Sequence, residues 1–437
     1  MNPSRLLPLL LLLVFAVSSF LTVPGFAQTG EEEDETTEVT LEAFGQGYYR
    51  PGLIYGIRFE PGLNAEQQMA SKLFDERLRF ALDWSGYVNL QLADSLTFSG
   101  PPETEQDEPE SELRVEIAPD ESDPDLVYAT LMLAEPEGEA WYTGRIGFKR
   151  SYANESGDAA AETIIVQLTG MTPPFRSRIV FVESKGNNVK ELMLAKYDGS
   201  TKQQLTNDGS IALSPSWSPD AKSIVFCSFR DKGDADLFIA DLAGRRIRRL
   251  APREGTDAAP AWSPTGREIV FAGSNGENTN LYIVDADGRN LRQLTNSRGI
   301  DTSPSWSPTG REIVFMSDRN GHPHIYRMDK YGSNLRRLTY EGSYNSDPAW
   351  SPAGDRIVYC RRTDSGFQLH SMDPLGDVDV ALTNEPGDHL DPSWSADGMK
   401  ITYSYRGRIW VMSADGTNRR QLASDGLQPD WSPILDR

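Results

Sequence analysis

Two cysteines and four histidines are all that the 437 residues contain. So few thiols exclude a disulfide-stapled scaffold, and so few imidazoles leave little material for a metal or acid–base centre. The Gly-x-Ser-x-Gly elbow of a serine hydrolase is missing, as is any further α/β segment at the end of the chain that would carry one. Basic residues are scarce in one part only: residues 28–174 hold 9 Lys and Arg against 30 Asp and Glu, whereas residues 175–437 hold 33 against 34. The excess acid sits in Glu31 to Glu38 and in the Pro- and Glu-rich stretch from Gly100 to Glu112, both of which read as solvated segments. That balance argues against nucleic acid as a partner. Long apolar runs are also missing, save Leu6 to Val17, which follows Arg5 and leads to the small-residue stretch Gly25-Phe26-Ala27. This is the pattern of an export signal, residues 1–27, cleaved after Ala27; the alternative is an uncleaved anchor continuing through Phe20 to Val23, which Pro8, Pro24 and the small-residue site disfavour. An acidic segment 28–50 would then open a mature chain with no membrane span.

What the sequence does contain is a tripeptide written six times. Trp217-Ser218-Pro219, Trp262-Ser263-Pro264, Trp306-Ser307-Pro308, Trp350-Ser351-Pro352, Trp394-Ser395-Ala396 and Trp431-Ser432-Pro433 recur at intervals of 45, 44, 44, 44 and 37 residues. A period of that length, holding several short apolar runs, is the signature of propeller blades of four strands each. Within a repeat, Ser-Pro-x-Gly ends the Trp strand in a tight turn, since Pro presets the first turn angle and Gly accepts a positive φ. A wholly apolar run such as Glu312-Ile313-Val314-Phe315 then suits a strand buried on both faces. A third strand (Leu281 to Asp285), an Asp-Gly turn and an alternating outer strand (Leu291 to Thr295) close the unit. The first apolar strand, near Ile179, has no Trp strand before it, and the last Trp, Trp431, has no strand after it. The two ends therefore complete one blade, and a six-bladed β-propeller spans residues 175–437. Cys227 and Cys360 end buried strands of blades 2 and 5, half a ring apart. They cannot reach the roughly 7 Å between α-carbons that a disulfide requires.

Residues 51–172 read as a small α/β domain, so the fold class is mainly β with an α/β domain in front. Strands are predicted at Leu53 to Phe59, Tyr87 to Phe98, Leu113 to Ala118, Leu126 to Ala134 and Trp141 to Lys149. Asn64 and Gln67 form an N-cap with its reciprocal partner, opening a helix that places Ala70, Leu73, Phe74, Leu78, Ala81 and Leu82 on one face. A second helix is predicted from Asp158 to Leu168, stopping at Gly170. Thr172-Pro173-Pro174 makes a short stiff joint.

The run Leu168-Thr169-Gly170-Met171 and Phe175-Arg176-Ser177-Arg178-Ile179-Val180-Phe181, followed by the six repeats, resembles the TolB proteins of the bacterial cell envelope. The resemblance covers the ring and joint closely, and the α/β domain through Tyr55-Gly56-Ile57-Arg58-Phe59 and the capped helix. It implies a periplasmic, monomeric, non-catalytic binding protein of the Tol-Pal system, with no cofactor or metal. Its propeller would receive a peptidoglycan-associated lipoprotein, and the start of its mature chain would contact TolA, in support of outer-membrane integrity and constriction at division. The acid-rich start, with only Val39-Thr40-Leu41 comparable to the family's apolar strand, and the insertion around Gly100 to Glu112 depart from that pattern. Trp-Ser-Pro repeats also occur in other propellers, so a metal-dependent lyase, a peptidase-associated propeller or a scaffold for another envelope partner stays open. His322 and His324 flank Pro323 and are read as hairpin residues rather than metal ligands. The Asp-Gly pairs are read as turns and the six Trp as packing.

The loops that enter each Trp strand are rich in acid. Thr256, Asp257, Asp301, Thr302, Asn345, Asp347, His389 and Asp391 are the expected partner-binding residues, lining a funnel that draws in a cationic protein surface.

Overall fold

A computed structural model describes residues 51–92, 111–136, 138–231, 233–244 and 246–435, all within one compact unit. The export signal, the acidic segment 28–50 and residues 100–110 of the insertion lie outside the described residues, whereas Ser111 and Glu112, read as its end, already belong to a strand. Among the described residues no helix is long and apolar enough to cross a membrane.

The chain begins with β1 (Gly52–Phe59) and α1 (Ala65–Ser85). The expected capping box is present: Asn64 Oδ1 accepts the Gln67 amide at 2.9 Å and Gln67 Oε1 accepts the Asn64 amide at 3.0 Å. α1 ends at Gly86, whose φ of 69° only glycine adopts freely. Four more strands follow: β2 (Asn89–Leu92), β3 (Ser111–Pro119), β4 (Val127–Ala134) and β5 (Ala140–Phe148). The sheet order is β2-β1-β3-β4-β5, with β1 parallel to both neighbours and the remaining pairs antiparallel. Alternation along β3 and β4 brings Leu113, Val115, Ile117, Ala129, Leu131 and Leu133 into one apolar cluster with Phe74, Leu78 and Ile164.

The last helix, α2 (Ala153–Thr169), starts five residues before the expected Asp158. Asn154, Ser156 and Gly157 have the composition of a loop, but Gly157 is where the two helices touch. A Cβ there would lie 2.9 Å from Arg77 Cβ and 3.1 Å from the Leu78 amide nitrogen. Close helix contact, not turn geometry, selects that glycine.

From Arg178 onward the chain forms six sheets of four antiparallel strands, each blade running from an inner Trp strand outward. Blade 4 is representative: Asp301–Trp306, Glu312–Ser317, His324–Asp329 and Arg336–Arg337. The second strands are buried on both faces, Ile313, Val314 and Phe315 being fully enclosed. Blade 1 joins the two chain ends, as expected: Leu427–Trp431 pairs antiparallel with Arg178–Gly186, placing Trp431 opposite Ile179. The terminal strand thus gives blade 1 the same four-strand order as the other five.

The helical layer is seated on blades 1 and 6 by a continuous apolar cluster. The Trp84 ring lies 4.7 Å from that of Tyr197 and near those of Phe175 and Trp431, with Lys400 Nζ 4.6 Å from its centroid. Tyr87 donates its hydroxyl to Asp397 at 2.7 Å. The proline joint is thus braced by buried contact on both sides of it.

Candidate partner-binding channel

Each inner strand repeats a pattern wider than Trp-Ser-Pro, namely Pro-x-Trp: Pro215, Pro260, Pro304, Pro348, Pro392 and Pro429 each stand two residues before a Trp. The residues just before these prolines are Ser214, Ala259, Ser303, Asp347, Asp391 and Gln428, and all six have positive φ, between 47° and 54°. Every inner strand shows a register shift at this point. The cause is a β-bulge: a residue before proline is barred from the right-handed helical region, and the bulge turns it to the left-handed one. Six bulges at one level form a ring around the axis.

That ring is hydrogen-bonded from blade to blade. Gln428 Oε1 accepts the Ser214 amide at 2.9 Å, Asp391 accepts the Gln428 amide at 3.2 Å and Asp347 accepts the Ser303 hydroxyl at 2.9 Å. One layer further along, the hydroxyls of Ser216, Ser305 and Ser393 accept the backbone amides of Trp262, Trp350 and Trp431, and Asp430 takes the same place toward Trp217. The Trp residues do more than fill space. Trp217, Trp306 and Trp394 donate their indole N–H to the carbonyls of Asp430, Ala261 and Ala349 in the neighbouring blade, at 3.0–3.1 Å.

The inner strands enclose a cavity of about 600 Å³, lined from the bulge ring to the Trp-Ser-Pro turns. Of the eight expected partner-binding residues, Asp347 and Asp391 line it. Burial raises the pKa of Asp391, with the neighbouring Asp347 carboxylate adding to the effect. Asp430, buried in the same wall, is pushed up to about 6.

The other six stand at the entrance of the strands. Thr256 and Thr302 are half-buried. Asp257, Asp301, Asn345 and His389 occupy equivalent places and are enclosed, at 0–1% exposure. Three of these meet an arginine of their own blade: Asp257 with Arg253 at 2.8 Å, Asp301 with Arg319 at 2.8 Å and Asn345 with Arg361 at 3.2 Å. The arginines in turn lie over blade aromatics, Arg253 on Tyr282, Arg319 on Phe315 and Tyr326, Arg361 on Tyr359. His389 is stacked on Tyr405 with ring centroids 4.2 Å apart. These four side chains brace the strand starts, whereas Thr256, Thr302, Asp347 and Asp391 stay half-exposed.

His322 is exposed in its hairpin, whereas His324 is buried, with Nδ1 3.2 Å from the Thr339 hydroxyl and Nε2 2.7 Å from Arg337. Burial and the Arg337 charge push His324 down to about 4, so it is neutral. Among the described residues no group of three or more His, Cys, Asp or Glu is placed to hold a metal ion. The residues missed by the sequence reading are Asp430, Gln428 and Ser303. One signal was available: between Pro and Trp, five repeats carry Ser or Ala and the sixth carries Asp430.

Comparison with known proteins gives a consistent result. The family described as the TolB beta propeller domain matches residues 165–435. The Tol-Pal system protein TolB of Geobacter metallireducens is 42% identical over 83 residues, 19% of this chain and 18% of that protein. The protein TolB homolog of Chlorobaculum tepidum is 36% identical over 88 residues, 19% of this chain and 20% of that protein. These alignments span about a fifth of the curated relatives' length. The crystal structure of TolB from Acinetobacter baumannii superposes with a TM-score of 0.71 at 24% identity, covering 89% of this chain and 98% of that one, a likeness of fold.

Proposed function

The chain belongs to the TolB β-propeller family, and from that premise we propose that it is a non-catalytic, periplasmic component of the Tol-Pal system. In this reading its ring receives a peptidoglycan-associated lipoprotein, serving outer-membrane integrity and constriction at division. The observation that carries the reading is the family match over residues 165–435, which spans all six blades and the channel at their centre. The electrostatics support it and narrow the surface. Asp257 and Asp301 are neutralised by Arg253 and Arg319, so the field that greets a cationic partner comes from Asp347 and Asp391, with Thr256 and Thr302 offering hydroxyls beside them. TolA is a second expected partner, through the segment ahead of the described residues.

Calorimetric titration of the chain with the peptidoglycan-associated lipoprotein of the same cell tests this. The native protein should bind with a salt-dependent affinity. Asp347→Asn with Asp391→Asn should weaken binding and flatten the salt dependence, and Asp257→Asn with Asp301→Asn should lower the melting temperature first. Absence of binding by the native chain would overturn the assignment of partner, and equal binding by the first double variant would overturn the assignment of surface.

A further inference from the structure

The outer strands of blades 2, 3 and 4 each hold an arginine directly after an exposed aliphatic, a combination that those of blades 1, 5 and 6 lack. Arg248 pairs with Ile239, Arg292 with Ile283 and Arg336 with Arg327, so the three arginines hold equivalent places on consecutive blades. The residue before each is an exposed aliphatic: Ile247 at 37%, Leu291 at 38% and Leu335 at 44%, with Tyr331 at 71% in the turn beside the last. Arg246 adds a further exposed cation on blade 2. Arg246, Arg248, Arg292 and Arg336 have no carboxylate partner among the described residues, although Arg248 and Arg292 donate to the carbonyls of Ala286 and Lys330 on the next blade. Charges on outer strands commonly serve to block edge-to-edge pairing. That need is the same in every blade, yet the corresponding strand of blade 5, Asp379–Ala381, carries an acid and no base. Blade 6 places Arg420 opposite Val411 at the same register, but Arg420 follows Arg419 and is paired with Asp83, and Lys202 of blade 1 is paired with Glu183. What is confined to blades 2–4, among the described residues, is an arginine without a carboxylate partner that directly follows an exposed aliphatic.

That arc faces away from the α/β layer. The layer is seated on blades 1 and 6, which adjoin through the closing strand, so blades 3 and 4 lie across the ring from it. The described residues of that layer, within 51–174, hold 16 Asp and Glu against 8 Lys and Arg. The described chain is thus acidic on one side of the ring and basic, with interleaved aliphatic side chains, on the other. A soluble polyanion would use only the arginines. A bilayer also takes up exposed aliphatic and tyrosine side chains at headgroup depth.

We propose that the outer edge of blades 2–4 is a docking surface for a bilayer bearing anionic headgroups. Arg246, Arg248, Arg292 and Arg336 supply the attraction, Ile247, Leu291, Leu335 and Tyr331 enter the interface, and the acidic layer is held away from the lipid. The surface is separate from the channel, so the proposal does not depend on which protein the channel receives.

Co-sedimentation of the exported protein with vesicles of phosphatidylcholine, with and without phosphatidylglycerol, tests it. Comparing the two vesicles cancels any contribution of the apolar run Leu6 to Val17. The native chain should bind the anionic vesicles selectively. Arg246→Gln with Arg336→Gln, which leaves the inter-blade bonds of Arg248 and Arg292 in place, should weaken that binding roughly thirtyfold. Ile247→Ser with Leu335→Ser should weaken vesicle binding and leave retention on immobilised polyphosphate unchanged. Leu375→Ser, an exposed apolar residue of blade 5, should change neither. Equal partition onto neutral and anionic vesicles, or a normally melting arginine variant that binds like the native chain, overturns the proposal. Loss of vesicle and polyphosphate binding with the arginines, but no effect of the aliphatic pair, marks a polyanion site and overturns it as well.

Discussion

Trp217 is fastened to Asp430, 213 residues further along the chain, by two bonds: its indole N–H donates to the Asp430 carbonyl at 3.1 Å and its backbone N–H to the carboxylate at 2.8 Å. The second carboxylate oxygen accepts the Ser393 hydroxyl at 2.9 Å. One side chain of the terminal strand thus ties blade 1 to both of its neighbours. Removing residues 427–435 should expose the edge of Arg178–Gly186 and abolish cooperative melting of the ring. Asp430→Ala should cost about 1–3 kcal/mol, the lost charge-assisted bonds being partly offset by relief of a buried charge. Calorimetry separates the two outcomes. A truncated chain that melts as one transition within a few degrees of the native protein would show that terminal pairing is dispensable.

Much of this architecture is legible in the sequence because each strand type carries its own pattern: Trp before a turn, an apolar run buried on both faces, an alternating outer strand. The count of parts even reveals the composite blade. The ring of bulges is not legible, since it arises from how Ser214, Asp347 and their counterparts pair with the next strand rather than from their identity. Burial of Asp257 and Asp301 escapes for a related reason. Their partners Arg253 and Arg319 lie at different sequence offsets, four residues before one and eighteen after the other, and only the fold makes the two pairs equivalent.

The buried carboxylates predict an acid-side optimum of stability. Burial pushes Asp257 and Asp430 up to about 6 and raises Asp391. Each holds its proton more tightly folded than unfolded, so the stability it contributes is complete below its unfolded pKa of about 4 and is lost as the pH rises through about 6. Asp198 and Asp379 act in the opposite sense. Burial opposes their ionisation, but the Ser200 amide and Arg77 hold Asp198 below the ordinary range, and His370 and Arg361 do so for Asp379. Their contribution is lost as the pH falls below about 4. Melting temperatures measured across this range should peak between about pH 4 and 6, and Asp391→Asn should flatten the decline toward neutrality. A monotonic rise to pH 7 in the native protein is the contrary result.

Ala221 stands where the turns after four of the other five Trp strands place a glycine. Its φ is 55°, against 72°, 66°, 82° and 72° for Gly266, Gly310, Gly354 and Gly398. An L-residue there is strained by about 1–2 kcal/mol, and glycine would return part of that gain through its freer unfolded state. Ala221→Gly should therefore stabilise the protein by about 0.5–1 kcal/mol in denaturant titration, without altering partner binding. A loss of stability would mean that packing of the Ala221 methyl outweighs the strain.

Arg77 of α1 joins the α/β layer to the ring, bridging Asp158 of the layer to Asp198 of blade 1. Its Nε and Nη2 donate to Asp158 of α2 at 2.6 and 2.8 Å, Nη1 lies 2.5 Å from Asp198 in a turn of blade 1, and Nη2 also donates to the Tyr197 hydroxyl at 2.8 Å. Asp198 and Arg77 are largely enclosed, so removing the guanidinium leaves two acids close together without a counter-charge. Breaking such a pair from one side is far more damaging than replacing the whole set, because the remaining charges have already lost their hydration. Arg77→Met should destabilise the protein by about 3–5 kcal/mol and separate the melting of the α/β layer from that of the ring. Adding Asp158→Asn and Asp198→Asn to Arg77→Met should restore a large part of the loss, since no buried charge then remains. If the triple variant is as unstable as the sum of its parts, the network contributes net attraction rather than mutual compensation, and the layer is held to blade 1 by its charges more than by Trp84 and the rings around it.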